Sequence, residues 1–462
     1  MEFRSLLSYL GTVLEIMGIL SVLPVFVAWI YGENPTLFFI TAVVSFISGI
    51  LLDRKFRKKE LTITKAMVLA TLSLLVVSLI GSIPFLWSLP PLDALFESVS
   101  GFTTTAFTTT QPETLPFSLL FWRSLMQWAG GLGVLVLFLH LMASPGMSSY
   151  YGRKPEADEM KKKSVLKRAL LIYAGITFAG FILLLIAGLG GFDSLATSMS
   201  SISTGGFSTK NSSIAAYASP LVEVIVMLLM IAGATSFFLL EGLTRGKFMD
   251  YLKSAETRLF WALIAIFTFL LFFSMTGASG LQALFQAISA LTTTGFTTFD
   301  GFSGLSLLLL LVLMIIGGFS ASAAGGLKLS RAGIMGKAFP WAGKKVALPQ
   351  EAIVPLKYDE RVVRDSEAAI IAVFTAMYVL LLFGVAVIFA FMGHPPLESL
   401  FQAASAQGNV GLSAIPMESI SPLGKLLLMC NMIVGRLEIF PVLGFLYILW
   451  KTRLGTKDAV TG

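Results

Sequence analysis

Apolar stretches long enough to cross a membrane recur along the whole chain, separated by segments that are basic or rich in Ser, Thr, Gly and Phe. A helix spans the hydrocarbon core of a bilayer with about 20 mainly apolar residues. We therefore predict an all-α membrane protein with no separate soluble domain. Its ten predicted membrane helices lie approximately at 6–31, 36–52, 66–88, 117–142, 166–190, 218–243, 257–277, 303–325, 368–392 and 422–450.

The composition excludes several classes of protein. Of the 462 residues, 56% are hydrophobic and only 13% are charged, which is too little charge to cover the surface of a soluble domain. The single cysteine, Cys430, excludes a disulfide framework, and His140 and His394 lie too far apart for a multi-His metal motif. The first apolar stretch is too long for the core of a signal peptide, so we interpret it as a retained anchor.

The basic residues are concentrated in every second segment between the predicted helices, on one side of the membrane. Of the 33 Lys and Arg residues, 29 fall in one alternating set of segments; only Arg123, Lys210, Lys425 and Arg436 lie elsewhere. This asymmetry is typical of cytoplasmic loops. It predicts a multi-pass protein of the plasma (inner) membrane with both termini in the cytoplasm, and it argues against nucleic acid as a partner. The basic segments are the N-terminus, 53–65, 143–168, 244–258, 328–364 and 451–457.

Four segments on the predicted outer side share one residue pattern. In each, Leu lies eleven residues and Ser six residues before a small residue, which an aromatic residue or Leu follows. Four parallel copies predict helix–pore loop–helix repeats around a pseudo-fourfold pore, after two additional N-terminal helices. The small residues are Ala106, Gly206, Gly295 and Gly411, and the predicted units are 1–65, 66–165, 166–256, 257–366 and 367–462.

Each repeated segment is too short to span the bilayer and must return to the side from which it entered. A short descending helix directs its partially negative C-terminal end at the axis, and glycine lets the following carbonyls face an ion. Close helix packing is the alternative for one glycine, but it does not explain four loops in register. The predicted filter, with K⁺ at the four small residues, comprises Thr105, Ala106, Thr204, Gly205, Gly206, Thr294, Gly295, Asn409, Val410 and Gly411.

These motifs resemble those of the TrkH/KtrB/HKT superfamily of potassium transporters over essentially the whole chain. SVSGFTTT, SISTGGFSTK, GRLEIF and FWRSLMQWAGGLGV, together with the extra N-terminal helices, are most similar to TrkH. The resemblance implies K⁺ uptake through a channel-like pore, no covalently bound cofactor and one filter glycine per repeat. It also implies a homodimer and a cytoplasmic TrkA-type nucleotide-binding subunit, for which basic segment 328–364, with Phe339 and Trp341, is a candidate docking surface.

The first repeat departs from the family pattern. Ala106 stands where the resemblance implies glycine, and Gly101 is no substitute because the aligned residues are Ser201, Ala290 and Ala406. Alanine is disfavoured at positive φ. In plant relatives, Ser in the first repeat accompanies sodium permeation. We therefore expect K⁺ transport with reduced discrimination against Na⁺, the alternative being a Na⁺-permeable member.

The second span of the third repeat contains a run of small residues, which permits a helix break beside a cavity. Close helix packing is the alternative, whereas the resemblance favours an intramembrane gating loop below the filter. Arg436, deep in the last span, is expected to face the pore as an electrostatic barrier or to form a structural ion pair. The predicted gate comprises Gly317, Gly318, Ser320, Ala324, Gly325, Gly326, Lys328 and Arg436.

Acidic residues flank the loops and predict an outer vestibule that concentrates cations. They are Asp93, Glu97, Glu113, Asp193, Asp300, Glu398 and Glu418, of which Glu97 is also a candidate partner for a pore helix. An alternating-access symporter is the nearest rival function, but inverted repeats and midplane carboxylates are not apparent. An intramembrane enzyme would need paired catalytic groups, for which no motif is found. The expected partners are thus K⁺ and membrane lipid.

Overall fold

The computed structural model describes residues 3–56, 63–142, 159–299, 301–302, 304–349, 354–359 and 361–453. Within them the chain is overwhelmingly helical, which confirms the all-α membrane fold. One short antiparallel hairpin, which the sequence did not predict, pairs β1 (Lys357–Tyr358) with β2 (Arg361–Val362). Much of the basic segment 143–168, Asp300, residues 350–353 and the last nine residues lie outside the described parts, as do both termini.

The helices are numbered in chain order. They are α1 (Phe3–Leu20), α2 (Leu23–Ile30), α3 (Thr36–Lys55), α4 (Ile63–Gly81), α5 (Pro91–Phe102), α6 (Phe117–Met142), α7 (Glu159–Ile186), α8 (Gly191–Ile202), α9 (Pro220–Ala234), α10 (Phe237–Thr244), α11 (Phe248–Lys253), α12 (Ala255–Ser274), α13 (Gly280–Leu291), α14 (Leu305–Ile316), α15 (Leu329–Ala347), α16 (Asp365–Phe391), α17 (Pro396–Gly408), α18 (Pro422–Arg436) and α19 (Phe440–Arg453).

The count of uninterrupted spans is lower than the predicted ten. Seven helical segments of the described chain are long and apolar enough to cross a membrane, or nine if two bent pairs each count as one span. The pair α9 and α10 is bent by 112°, and the pair α18 and α19 by 107°. Both bends lie inside stretches predicted as single helices. Hydrophobicity could not reveal the first bend, because the residues on both sides of it remain apolar. At the second bend, Arg436 and Glu438 interrupt an otherwise apolar stretch.

The first bend follows Ala234, where Thr235 adopts an extended conformation. The helix carbonyls left free there accept hydrogen bonds from another segment: Phe319 N donates to Ala234 O at 3.1 Å and Ala323 N to Gly233 O at 3.2 Å. A buried helix end needs such partners. The break is therefore stabilised by tertiary contacts that no local sequence signal encodes.

Four short helices, α5, α8, α13 and α17, lie inside the protein and not at its lipid-facing surface. Each has 12 or 13 residues, and each packs between the helices that precede and follow it, as α5 does between α4 and α6. Local signals start them: Pro91 and Pro396 occupy first turns, and Ser279 and Gln282 form a capping box before α13. The chain thus contains four helix–short helix–helix units, which we number 1 to 4.

The N-terminal helices pack beside the first unit. A Cβ added to Gly11 would lie 2.7 Å from the carbonyl oxygen of Gly49, so the backbones of α1 and α3 touch. Ser8 Oγ donates a hydrogen bond to Asp53 Oδ1 at 2.6 Å near the same crossing. Small residues that let two helices approach closely are typical of membrane interfaces.

Candidate functional site

The loops that follow the four short helices converge in one place. We call residues 103–108, 203–208, 292–297 and 409–413 loops 1 to 4, and their meeting point the four-loop ring. Every loop has two residues at positive φ, separated by one residue. The pairs are Thr104 (55°) and Ala106 (64°), Thr204 (50°) and Gly206 (86°), Thr293 (56°) and Gly295 (83°), and Asn409 (53°) and Gly411 (93°).

Three of the loops contact the next one through a glycine. A Cβ added to Gly206 would lie 1.9 Å from Thr294 O, one added to Gly295 would lie 1.9 Å from Val410 O, and one added to Gly411 would lie 1.9 Å from Thr105 O. No carbon atom fits at that distance, so these positions require glycine for space as well as for φ. The contacts join loop 2 to loop 3, loop 3 to loop 4 and loop 4 to loop 1.

Ala106 stands at the remaining junction, between loops 1 and 2. Its φ of 64° is smaller than the 83–93° of the three glycines. Its methyl group lies 3.3 Å from the Cβ position built on Gly206 and 3.0 Å from that built on Gly411. The methyl group therefore lies inside the ring, close to the glycines of loops 2 and 4, whereas at the other three positions a neighbouring carbonyl leaves no room for a methyl group.

Polar side chains form hydrogen bonds within and between the loops of the ring. Thr103 Oγ1 and Thr105 Oγ1 lie 2.8 Å apart, and the equivalent pair in loop 3, Thr292 and Thr294, has the same spacing. Asn409 Nδ2 donates to Thr105 Oγ1 at 3.0 Å and to Met432 O at 2.9 Å. The side chain of loop 4 thus binds loop 1 directly, where sequence reasoning had assigned Asn409 to the ion path.

A cavity of about 360 Å³ opens above the ring. Ala106, Gly206, Gly295 and Gly411 all line it, so the structure brings the four repeated positions to one opening. The charged residues among its described lining are Arg123 and Lys210, and none of the expected acidic residues that the structure describes is part of that lining. The structure therefore does not support an acidic vestibule.

Four of the acidic residues near the loops have partners of their own or are buried. Asp93 accepts a hydrogen bond from Lys425 at 2.5 Å, and Asp193 lies 3.8 Å from Lys210. Glu113 accepts from Asn211 at 2.9 Å, and Glu97 is fully buried. The sequence places these carboxylates near the outer opening of the ring, but it does not reveal the side chains to which they bind.

The small-residue run between α14 and α15 is irregular, and we call residues 317–328 the intramembrane loop. Gly317, Gly326 and Lys328 have positive φ. Gly325 N donates to Thr293 Oγ1 at 2.7 Å, and a Cβ added to Gly325 would lie 2.1 Å from Gly408 O. The intramembrane loop therefore lies directly against loop 3 of the ring and against the end of α17, where loop 4 begins.

Arg436 is 4% exposed and holds the intramembrane loop from the side. Its Nη1 donates to Ala323 O at 2.7 Å and its Nη2 donates to Gly130 O on α6 at 3.0 Å. Glu438, two residues later, pairs with Arg331 at 2.5 Å and not with Arg436. Lys328 Nζ donates to Ala324 O within the loop, and Ser320 and Ser330 are hydrogen-bonded to each other.

Comparison with known proteins agrees with this arrangement. The family model described as a cation transport protein, TrkH, matches residues 34–451. The chain belongs to the TrkH family. It is therefore a multi-pass membrane protein of a cation-transport family, and the resemblance drawn from the sequence motifs is confirmed.

Relatives match this TrkH-family chain over almost its full length. A cation transporter of Methanocaldococcus jannaschii is 33% identical over 96% of the chain and 95% of its own length. The potassium uptake protein TrkH of Escherichia coli is 30% identical, with 96% and 98% covered. The crystal structure of the potassium transporter TrkH from Vibrio parahaemolyticus superposes with a TM-score of 0.88 at 27% identity, with 96% and 98% covered.

Sequence reasoning missed part of the site. The positive φ of Thr104, Thr204 and Thr293 gave no signal, because threonine has no preference for that conformation. Gln127 was also missed, although its Oε1 accepts a hydrogen bond from Phe207 N at 3.0 Å and so fixes loop 2 from behind. One signal was available: Gln127 lies four residues after the unusual Arg123 and therefore on the same face of α6.

Proposed function

We propose that this TrkH-family chain carries K⁺ into the cell through the four-loop ring. The observation that supports it best is the closure of the ring by three glycine-to-carbonyl contacts between neighbouring loops. A ring of main-chain oxygens can replace the water around a dehydrated K⁺ ion. The names of the relatives in Escherichia coli and Vibrio parahaemolyticus point to the same ion.

Ala106 is proposed to lower the discrimination between K⁺ and Na⁺. Its methyl group lies within the ring, and its different φ changes the direction of the adjoining peptide group relative to those of the other loops. A less uniform ring coordinates a large dehydrated ion less well. A smaller or partly hydrated ion loses less coordination energy in such a ring. A Na⁺-permeable protein is the alternative at this position.

The intramembrane loop is proposed to be the gate. It lies against the ring at Gly325, and it is tied to the break after α9 and to Arg436. Movement of this loop would exchange a small number of hydrogen bonds without unfolding any helix. The guanidinium of Arg436, buried beneath the ring, would in addition repel cations when the path is closed.

The proposed partners come from the family resemblance: a second copy of the chain in a homodimer and a TrkA-type nucleotide-binding subunit. The proposed location, the plasma membrane with cytoplasmic termini, follows from the distribution of basic residues. On α15, Phe339 is exposed and suits a docking surface. Trp341 suits it less, since its Nε1 donates to Val354 O at 2.7 Å. The mass of the chain in detergent, alone and mixed with a TrkA-type protein, tests both partner proposals.

The function is tested by purified protein in liposomes and by uptake into cells that lack their own potassium transporters. We expect rescue of growth at low K⁺, Rb⁺ flux above Na⁺ flux, and a reversal potential that follows the K⁺ gradient. A potential that shifts with an imposed H⁺ or Na⁺ gradient would favour the alternating-access alternative. Folded protein that moves neither Rb⁺ nor Na⁺ would refute the proposal.

A further inference from the structure

A buried ion pair stands behind the ring at the one junction that has no glycine. Glu97 on α5 is fully buried, and Arg123 on α6 is 1% exposed. Their closest atoms, Glu97 Oε2 and Arg123 Nε, are 3.3 Å apart. Removing two charges from water is costly unless both are well compensated. A pair retained in such a place calls for an explanation beyond packing.

Each end of the pair holds a different loop. Glu97 Oε1 accepts hydrogen bonds from Thr108 Oγ1 and from Thr109 N, both at 2.7 Å. The Arg123 guanidinium lies 4.0 Å from the ring centroid of Phe207, the residue that follows Gly206. The pair therefore fixes two segments relative to each other: the end of loop 1 at Thr108 and Thr109, and the residue after Gly206 in loop 2.

The positions equivalent to Glu97 in the other three units hold uncharged residues. Nine residues before the small residue, units 2, 3 and 4 have Thr197, Gln286 and Gln402. Gln402 Oε1 accepts from Ser413 Oγ at 3.1 Å, which is the neutral counterpart of Glu97 and Thr108. Hydrogen bonds to an ionised acceptor are roughly twice as strong as neutral ones. Unit 1 thus has the strongest anchor of this kind, in the same loop as the strained Ala106.

We infer that Glu97 and Arg123 are positioning residues that determine ion specificity by holding loop 1 in register with loop 2 despite Ala106. The inference rests on the proposed function and deepens it. Without the pair, loop 1 relaxes away from the conformation that alanine disfavours, and the ring loses its fit to K⁺. With glycine at position 106 there is no strain to hold, so the pair becomes dispensable for selectivity.

The test is a double-variant cycle on the Rb⁺/Na⁺ flux ratio in liposomes. Glu97→Gln, which loses the charge and keeps the shape, is expected to lower the ratio about tenfold, the size expected for charge-assisted hydrogen bonds. Ala106→Gly raises the ratio, and Ala106→Gly/Glu97→Gln stays within about threefold of Ala106→Gly, the coupling expected of groups that act on one another. Asp93→Asn, one turn earlier on α5, is the matched control and keeps the wild-type ratio.

The outcomes separate this inference from the proposed function. A Glu97→Gln ratio equal to the wild-type ratio overturns the inference, and so does an equal loss in the wild-type and Ala106→Gly backgrounds. If Glu97→Gln does not reach the membrane, Thr108→Val removes one donor and leaves the ion pair; it must lower the ratio in the same direction. Folded wild-type protein that moves neither Rb⁺ nor Na⁺ would refute the proposed function instead.

Discussion

The amide of Gly325 donates a hydrogen bond of 2.7 Å to the hydroxyl of Thr293, which joins the intramembrane loop to loop 3 of the ring. Both groups are buried, and Thr293 is held at a φ of 56°. A buried amide that loses its acceptor is costly. The hydrogen bond is therefore a direct physical link between the proposed gate and the proposed filter.

Removing that link should favour the open state. Thr293→Val preserves the shape of the side chain but provides no acceptor, so we expect a several-fold rise in Rb⁺ flux, as the loss of about 1 kcal/mol from the closed state would give. Thr293→Ser is the matched control, because it retains the hydroxyl and should resemble wild type. Equal flux in Thr293→Val and Thr293→Ser would show that the bond has no part in gating.

Gly295 should tolerate no side chain. Its Cβ would lie 1.9 Å from Val410 O, so Gly295→Ala must separate loops 3 and 4. We expect at least a tenfold loss of flux in liposomes, because a positive φ alone costs alanine about 1–2 kcal/mol before the overlap is counted. Gly384→Ala on α16, which meets no other atom within 4 Å, is the control. Wild-type flux and selectivity in Gly295→Ala would contradict the described contact.

Arg436 has two separable proposed roles, a charge below the ring and a tether for the intramembrane loop. Arg436→Gln removes the charge and should raise conductance several-fold at unchanged protein abundance. Arg436→Lys keeps the charge, but an ammonium group cannot reproduce the forked contacts to Ala323 O and Gly130 O. High conductance in both variants would assign the effect to the loss of the tether. High conductance in Arg436→Gln alone would assign it to the loss of the charge. Wild-type conductance in both would exclude either role.

Lys210 lines the outer cavity and should slow the arrival of cations. Its nearest carboxylate, that of Asp193, is 3.8 Å away. Lys210→Gln should therefore increase the initial uptake rate about twofold at low ionic strength, and the gain should shrink as salt screens the field. A rate increase that is equal at low and high salt would point to a structural cause.

The sequence predicted the architecture well, because each signal was global. Apolar length revealed the spans, and the shared register of Ala106, Gly206, Gly295 and Gly411 selected the positions that now line one cavity. The bends after Ala234 and Arg436 were not predictable, because they depend on contacts with the intramembrane loop and on backbone such as Glu438 and Ile439 at positive φ.

Charges were the least predictable feature. Glu97 appeared as one of several acidic residues near the mouth, and Arg123 as an isolated exception to the cytoplasmic basic set. Only the fold brings these residues of α5 and α6 into contact. The same limit explains why the vestibule was expected to be acidic, whereas Arg123 and Lys210 are the charged residues in the part of its lining that the structure describes.

A map of the protein with Rb⁺, using the anomalous signal of that ion, tests the central claim most directly. We predict Rb⁺ on the axis between Ala106, Gly206, Gly295 and Gly411, at distances that main-chain oxygens can coordinate. Loops that stand apart from one another, or a ring that is packed and free of Rb⁺ at saturating concentration, would contradict that prediction.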